Sequence, residues 1–189
     1  MITIKEDFLS SESVLNSFIH NESNFQNIQI ASDLLISCIN SGGKIISCGN
    51  GGSMCDAMHF SQELSGFFNK KRKALPAICI SDPSHITCVA NDTSFDFVFS
   101  RYIESLGKEK DVLFAISTSG RSQNIINAAK EAKKKSMKVV CLSSLDGANL
   151  AEYSDVSICV ETNKTDRCQE IHSIIIHSII NYIEQKLGL

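Results

Sequence analysis

Five short apolar runs, at residues 44–48, 77–81, 112–116, 138–142 and 156–160, constrain the fold of this chain more than any other feature. Runs of this length, lacking an alternating polar face, suit strands that are covered on both sides. The segments between them are long enough to hold crossover helices, and strands joined in that way pair in parallel. The expected architecture is α/β, a doubly wound five-stranded parallel sheet.

Helical regions flank the sheet. Val14, Leu15, Phe18, Ile28, Ile30, Leu34, Leu35 and Ile39 recur at helical spacing from about Ser10 to Asn40, with a break near Asn21-Glu22-Ser23-Asn24. This pattern reads as an N-terminal helical hairpin within residues 1–41. At the other end, residues 166–187 contain no Gly or Pro, and a helical wheel places Ile171, Ile174, Ile175, Ile176, Ile179, Ile180 and Ile183 on one broad arc. Glu170, Ser173, His177, Asn181 and Glu184 gather on the opposite, polar face. His172 falls within the isoleucine arc, as a core or interface histidine does.

The 189 residues fit one domain, with 42–189 as the α/β core and C-terminal helix. A formal net charge of -3 gives no reason to expect a nucleic-acid partner, and the short cluster Lys70-Lys71-Arg72-Lys73 reads as a solvated loop. No stretch approaches the roughly 18 apolar residues of a membrane span, and Met1 to Ser10 lack the apolar core of a signal peptide. A cytoplasmic protein without a membrane partner is expected. Cys48, Cys79, Cys141 and Cys159 sit inside apolar runs and no CxxC pair occurs, so the cysteines read as reduced, mostly buried hydrophobes.

Two small, hydroxyl-rich loops each follow an apolar run and open a helical segment: Gly49-Asn50-Gly51-Gly52-Ser53 and Ser117-Thr118-Ser119-Gly120-Arg121-Ser122. Helix N-termini present unpaired N–H groups and a positive dipole end, so such loops suit a phosphate. One of them alone would be an ordinary turn and cap; two point to a sugar phosphate. No Lys follows the glycines as in a nucleotide-binding P-loop, and Met54 stands where the dinucleotide fingerprint needs its last glycine.

His59 and Glu63 lie four residues apart on the helix opened by the first loop, on one face. An imidazole and a carboxylate there can move protons or share a metal; by spacing alone they can equally be a surface pair. Gln169, His172 and His177 stand in the C-terminal helix, where Gln169 and His177 are separated by roughly 12 Å of axial rise.

Taken together, Ser47-Cys48-Gly49-Asn50-Gly51-Gly52-Ser53, Cys55-Asp56-Ala57-Met58-His59-Phe60, Glu63-Leu64, Ile80-Ser81-Asp82, Asn91-Asp92, Ile116-Ser117-Thr118-Ser119-Gly120 and Gln169-Glu170-Ile171-His172 closely resemble the bacterial phosphoheptose isomerases of the sugar isomerase (SIS) fold. The likeness spans essentially the whole chain. It implies aldose–ketose isomerisation of sedoheptulose 7-phosphate to D-glycero-D-manno-heptose 7-phosphate through an enediol, the first step toward the nucleotide-activated heptose of lipopolysaccharide core. By the same resemblance Glu63 is the base and His177 its acid–base partner. His59, Glu63, Gln169 and His177 match zinc ligands, one ion per subunit. Ser117, Thr118, Ser119 and Ser122 match the phosphate loop, and Asn50, Gly51, Gly52, Ser53, Glu63, Asn91, Asp92, Asp166 and Gln169 the remaining substrate contacts. A homotetramer with active sites between subunits is also implied.

Met54 and Arg121 depart from residues common in the family, His and Asn respectively, and residues 161–165 differ locally. A second reading is a non-catalytic SIS protein that senses sugar phosphates or binds a replication initiator. Retention of His59, Glu63, Gln169 and His177 together favours the enzyme, because a scaffold has no chemical use for that set.

Overall fold

The computed structural model describes residues 3–145 and 148–189. Five parallel strands, β1 (Ile45–Gly49), β2 (Ala77–Cys79), β3 (Val112–Ser117), β4 (Lys138–Ser144) and β5 (Val156–Val160), form one sheet in the order β2-β1-β3-β4-β5. Ile45 pairs with Ala77 on one side and Val112 on the other, so β1 is central. The chain winds outward from β1 in both directions, and strand order reverses between β1 and β3. In open α/β sheets, ligands bind at the carboxyl edge of such a reversal. Both hydroxyl-rich loops leave the sheet there.

Helices cover both faces. On one, α2 (Glu22–Asn40), α3 (Gly52–Ser65) and α8 (Thr165–Leu187) pack through Leu35, Phe60, Leu64, Ile176 and Ile180 onto Ile45, Phe114, Ile116, Leu142 and Ile158. Phe60 stacks on Phe114 with ring centroids 4.3 Å apart. On the other, α5 (Val98–Leu106) and α6 (Gln123–Lys134) bury Phe99, Ile103, Ile125 and Ala129 against Ile46, Cys48, Leu113 and Cys141. Between β2 and β3, α4 (Pro83–Asp92) and a 3-10 turn at Phe95–Phe97 lead into α5. A short α7 (Ala148–Ala151) precedes β5.

The expected hairpin is present as α1 (Ile4–Ile19) and α2, with Asn21 capping the second helix through its side chain. The first two residues of the 1–41 unit lie outside the described residues. Helix α1 begins earlier than apolar spacing indicates, because Thr3 and Glu6 form a reciprocal capping box. Arg167, buried in α8, ties α1 down by donating to the Asp7 carbonyl at 2.7 Å and to Ser11 Oγ. Strand β2 is shorter than expected and β4 extends two residues further, into the carboxyl edge. All eight cysteines are free thiols; Cys38, Cys48, Cys141 and Cys168 are buried and Cys55 and Cys88 exposed. Among the described residues no helix is long and apolar enough to cross a membrane.

Two charged side chains read as solvated are buried instead. Arg72, in the basic cluster, and Glu184, on the polar arc of α8, form an ion pair at 2.6 Å with side chains only 2% and 6% exposed. The guanidinium also donates to the carbonyls of Glu63, Leu64, Gly66 and Lys73. It therefore satisfies the end of α3 and bonds it to α8. Composition could not reveal this, because the partners are 112 residues apart.

Removing one partner of a buried pair leaves the other charge without compensation. Glu184→Ala is expected to lower stability by about 3 kcal/mol in a denaturant titration, whereas Lys71→Ala, exposed in the same cluster, should change it by less than about 0.5 kcal/mol.

Candidate active site

The first loop turns sharply out of β1. Gly51 has φ +55°, in the left-handed region where glycine is favoured, and caps α3 without any side-chain hydrogen bond. Gly52 is a close-approach position: a Cβ there would stand 2.4 Å from Gln169 Nε2. Asn50 faces α6, where its amide and that of Asn124 exchange two hydrogen bonds of 2.9 Å each. This pair joins the two loops, since Asn124 lies in the first turn of the helix opened by the second.

In the second loop, Ser117 Oγ accepts from the Gly120 N–H at 3.2 Å and Ser119 Oγ from the Arg121 N–H at 3.2 Å. The Thr118 carbonyl accepts from the Ser144 N–H at the end of β4. Ser122 occupies the N-cap of α6, yet its hydroxyl makes no capping bond and lies 3.4 Å from Ser117 Oγ. Asn50, Ser53, Ser117, Thr118 and Ser122 line a small polar cavity of about 70 Å³ between the loops. A second, of about 170 Å³, opens between Thr118, Ser119, Arg121 and the start of α8 at Lys164 and Thr165. Hydroxyls and helix N-termini converging on small cavities suit a phosphate and its sugar.

Helices α3 and α8 run side by side in the same direction, so Gln169 meets Gly52 and, two turns on, His177 meets His59. His59 Nε2 lies 3.2 Å from Glu63 Oε1 and 3.4 Å from His177 Nε2. The two imidazoles stand nearly perpendicular, centroids 5.0 Å apart, and Phe68 stacks on His177 at 5.6 Å. The four residues implied as zinc ligands thus divide: His59, Glu63 and His177 are together, and Gln169 stands at the loop. Imidazole nitrogens and a carboxylate oxygen are donors that zinc accepts. Among the described residues, however, no group of three or more His, Cys, Asp or Glu side chains is arranged to hold a metal ion.

The remaining positions are more dispersed. Asn91 and Asp92 end α4 on the opposite face of the sheet, exposed and bonded to each other at 2.8 Å. Asp166 is exposed in the first turn of α8, where the Arg167 N–H and guanidinium hold its carboxyl below its usual range. His172 is fully buried, with Nε2 3.3 Å from the Ser143 carbonyl and Nδ1 without a hydrogen-bond partner. Phe68 and Asn124 escape the sequence reading, which takes Arg72 only as part of a solvated cluster and Asp56 only as part of the motif around His59. Asp56 alone carried a local signal, one turn before His59 on the same helix; one of its carboxylate oxygens is buried without a partner.

The loops at the strand reversal, and a match of the SIS domain family to residues 9–144, define the class: the chain is a SIS-domain protein. It is 53% identical to phosphoheptose isomerase of Cytophaga hutchinsonii, covering 98% of this chain and 97% of that protein, and 51% identical to that of Pectobacterium atrosepticum, covering 98% and 96%. The structure of phosphoheptose isomerase GmhA from Neisseria gonorrhoeae superposes with a TM-score of 0.90 at 35% identity, over 96% of this chain and 97% of that one. The Francisella tularensis enzyme gives 0.92 at 34%, over 96% of each. The chain belongs to the phosphoheptose isomerase family, and is an enzyme of the sugar-phosphate isomerase class.

Two groups, the buried His172 and the half-buried Asp56, make stability depend on pH in opposite senses. Burial pushes His172 down from 6.5 to about 4, so the unfolded chain takes up its proton first and stability falls as pH drops from 6.5 toward 4. Burial pushes Asp56 up from 3.8 to about 6, partly offset by His59, so the fold takes up that proton first and gains stability as pH drops through 6 toward 3.8. Asp56→Asn should therefore steepen the loss of stability between pH 6.5 and 4, read from denaturant midpoints; an unchanged slope would contradict the opposition.

Proposed function

We propose that this enzyme interconverts sedoheptulose 7-phosphate and D-glycero-D-manno-heptose 7-phosphate, supplying the first step toward nucleotide-activated heptose for lipopolysaccharide core. The observation that carries the reading is the contact of His59 and Glu63, on the helix that begins at a phosphate-type loop, with His177 of α8. From Gly52 to His59 helix α3 rises about 10 Å. The phosphate and the reacting carbonyl are at opposite ends of this substrate, so a cradle and an acid–base cluster set apart suit it.

Glu63 takes a proton from C1 of the ketose while the C2 carbonyl oxygen gains one, giving the enediol. Return of a proton to C2 and loss of the O1 proton complete the aldose, with His177 moving protons between the oxygens. Zinc is the proposed cofactor: His59, Glu63 and His177, which lie together, would hold it, with Gln169, which stands apart at the loop, as the fourth ligand the resemblance implies, and it would supply charge stabilisation at the enediol oxygen. Ser117, Thr118, Ser119 and Ser122 bind the phosphate. Asn50, Gly51, Gly52, Ser53 and Gln169 contact the sugar.

The proposed assembly is a homotetramer with sites between subunits. Support comes from Met58 and Ile174, which remain 47% and 45% exposed on the helices carrying His59 and His177, and from Phe67, 56% exposed just after α3. A covering subunit would also supply Asn91, Asp92 and Asp166, which one chain leaves apart from the acid–base cluster. Localisation in the cytoplasm fits the sugar-phosphate substrate.

The test is an NMR assay with sedoheptulose 7-phosphate in deuterated water, with zinc and with chelator. Aldoheptose phosphate bearing deuterium at C2 is expected, and loss of turnover in chelator would support the metal. Glu63→Gln and His177→Ala should each lower turnover by at least about 100-fold, with phosphate binding retained. No product in either arm from the intact protein would leave a non-catalytic sugar-phosphate binder.

A further inference from the structure

After α3 ends, the chain turns back along α8 and touches it at three successive positions of one face. Phe68 stacks on His177 at 5.6 Å and 30°, Asn69 Nδ2 donates to Asn181 Oδ1 at 2.8 Å, and Arg72 Nε donates to Glu184 Oε1 at 2.6 Å. Positions 177, 181 and 184 recur at helical spacing, so this segment is a strap laid along the helix. Its far end is anchored firmly. The Arg72 side chain is 2% exposed and its other donors close the last turn of α3 at Glu63 and Leu64, so one guanidinium fixes the strap, the turn bearing Glu63 and helix α8 together.

The near end of the strap meets the imidazole of His177. That ring stacks on Phe68 and stands nearly perpendicular to the ring of His59, with its Nε2 3.4 Å from His59 Nε2. Rotation about the terminal side-chain torsion of a histidine is soft, so a flat neighbour on the ring is what selects its plane. A misplacement of about 1 Å in a proton-transfer group costs up to about 100-fold in rate.

We propose that Phe68 is a positioning residue for the acid–base histidine: held through the Arg72–Glu184 anchor, its ring sets the plane of the His177 imidazole and directs Nε2 toward the end of the site that carries His59 and Glu63. The inference rests on the reading of His177 as the proton-transfer partner of Glu63. It assigns Phe68 no contact with substrate, so its loss acts on turnover and not on binding.

Phe68→Ala is expected to lower kcat by about tenfold or more with KM within about twofold, and Phe68→Tyr, which keeps the flat ring, to restore most of it. NMR of the His177 ring protons gives an independent readout, because loss of the stacked ring removes its ring-current shift. Should Phe68→Ala fail to fold, Phe68→Leu retains apolar bulk without a flat face and should show the same loss of kcat. Unchanged kcat in the folded variant, or a rise in KM with kcat intact, overturns the inference. Wild-type turnover in His177→Ala overturns the underlying reading and the inference with it, and a normal His177→Ala defect beside an unaffected Phe68→Ala overturns the inference alone.

Discussion

The parallel packing of α3 against α8 is the constraint on which the rest of the site depends. Each helix buries its apolar side on the same face of the sheet, and the register between them brings Gly52 to Gln169 and His59 to His177. The missing Cβ of Gly52 allows the close approach at one end, and the Arg72–Glu184 pair fixes the other. A slip of one residue would rotate neighbouring side chains by about 100° and separate the two histidines. Polar residues at the ends of the interface thus set a register that apolar packing alone would specify only loosely.

The carboxyl edge of the sheet supplies the other half. Because strand order reverses between β1 and β3, the loops that follow them stand next to each other. The Asn50–Asn124 amide pair then links the first loop to the helix of the second, so the cradle is one polar unit built from two crossovers. In neither α3 nor α6 does the N-cap residue's side chain take up an N-terminal donor, although the Ile125 N–H of α6 donates to Asn124 Oδ1 at 3.0 Å. Uncapped N-termini, costly by about 1 kcal/mol each in an ordinary helix, are consistent with donors reserved for an anion.

What could be read from the sequence follows the range of the interactions. The strands, the hairpin and α8 were legible because apolar periodicity is local, and both loops because Gly and Ser mark them. The boundary of α1 was not, since a capping box outweighed the apolar pattern there. His59 with Glu63 was legible at four-residue spacing, and burial of His172 from its place in the isoleucine arc. Phe68 on His177 and Asn50 with Asn124 were invisible, because nothing local marks a contact made across the fold. Glu184 misled the wheel for the same reason: a charged residue at a polar position says nothing of a buried guanidinium waiting for it. The distance between Gln169 and His177 along one helix proved real, and the parallel partner helix gives each its own neighbour.

The Arg72–Glu184 anchor also has a consequence for biogenesis. On the ribosome, α3 and its strap emerge long before the last turn of α8, and 112 residues separate the two charges. Through most of synthesis Arg72 has no carboxylate to meet, and the α3 surface that α8 covers stays open. The sheet can assemble progressively as β1 through β5 appear, but the His59–Glu63–His177 contact must wait for the final helix. A nascent chain of this enzyme therefore acquires its acid–base cluster last, and a translation product stopped short of α8 would expose an unsealed apolar face to chaperones and proteases.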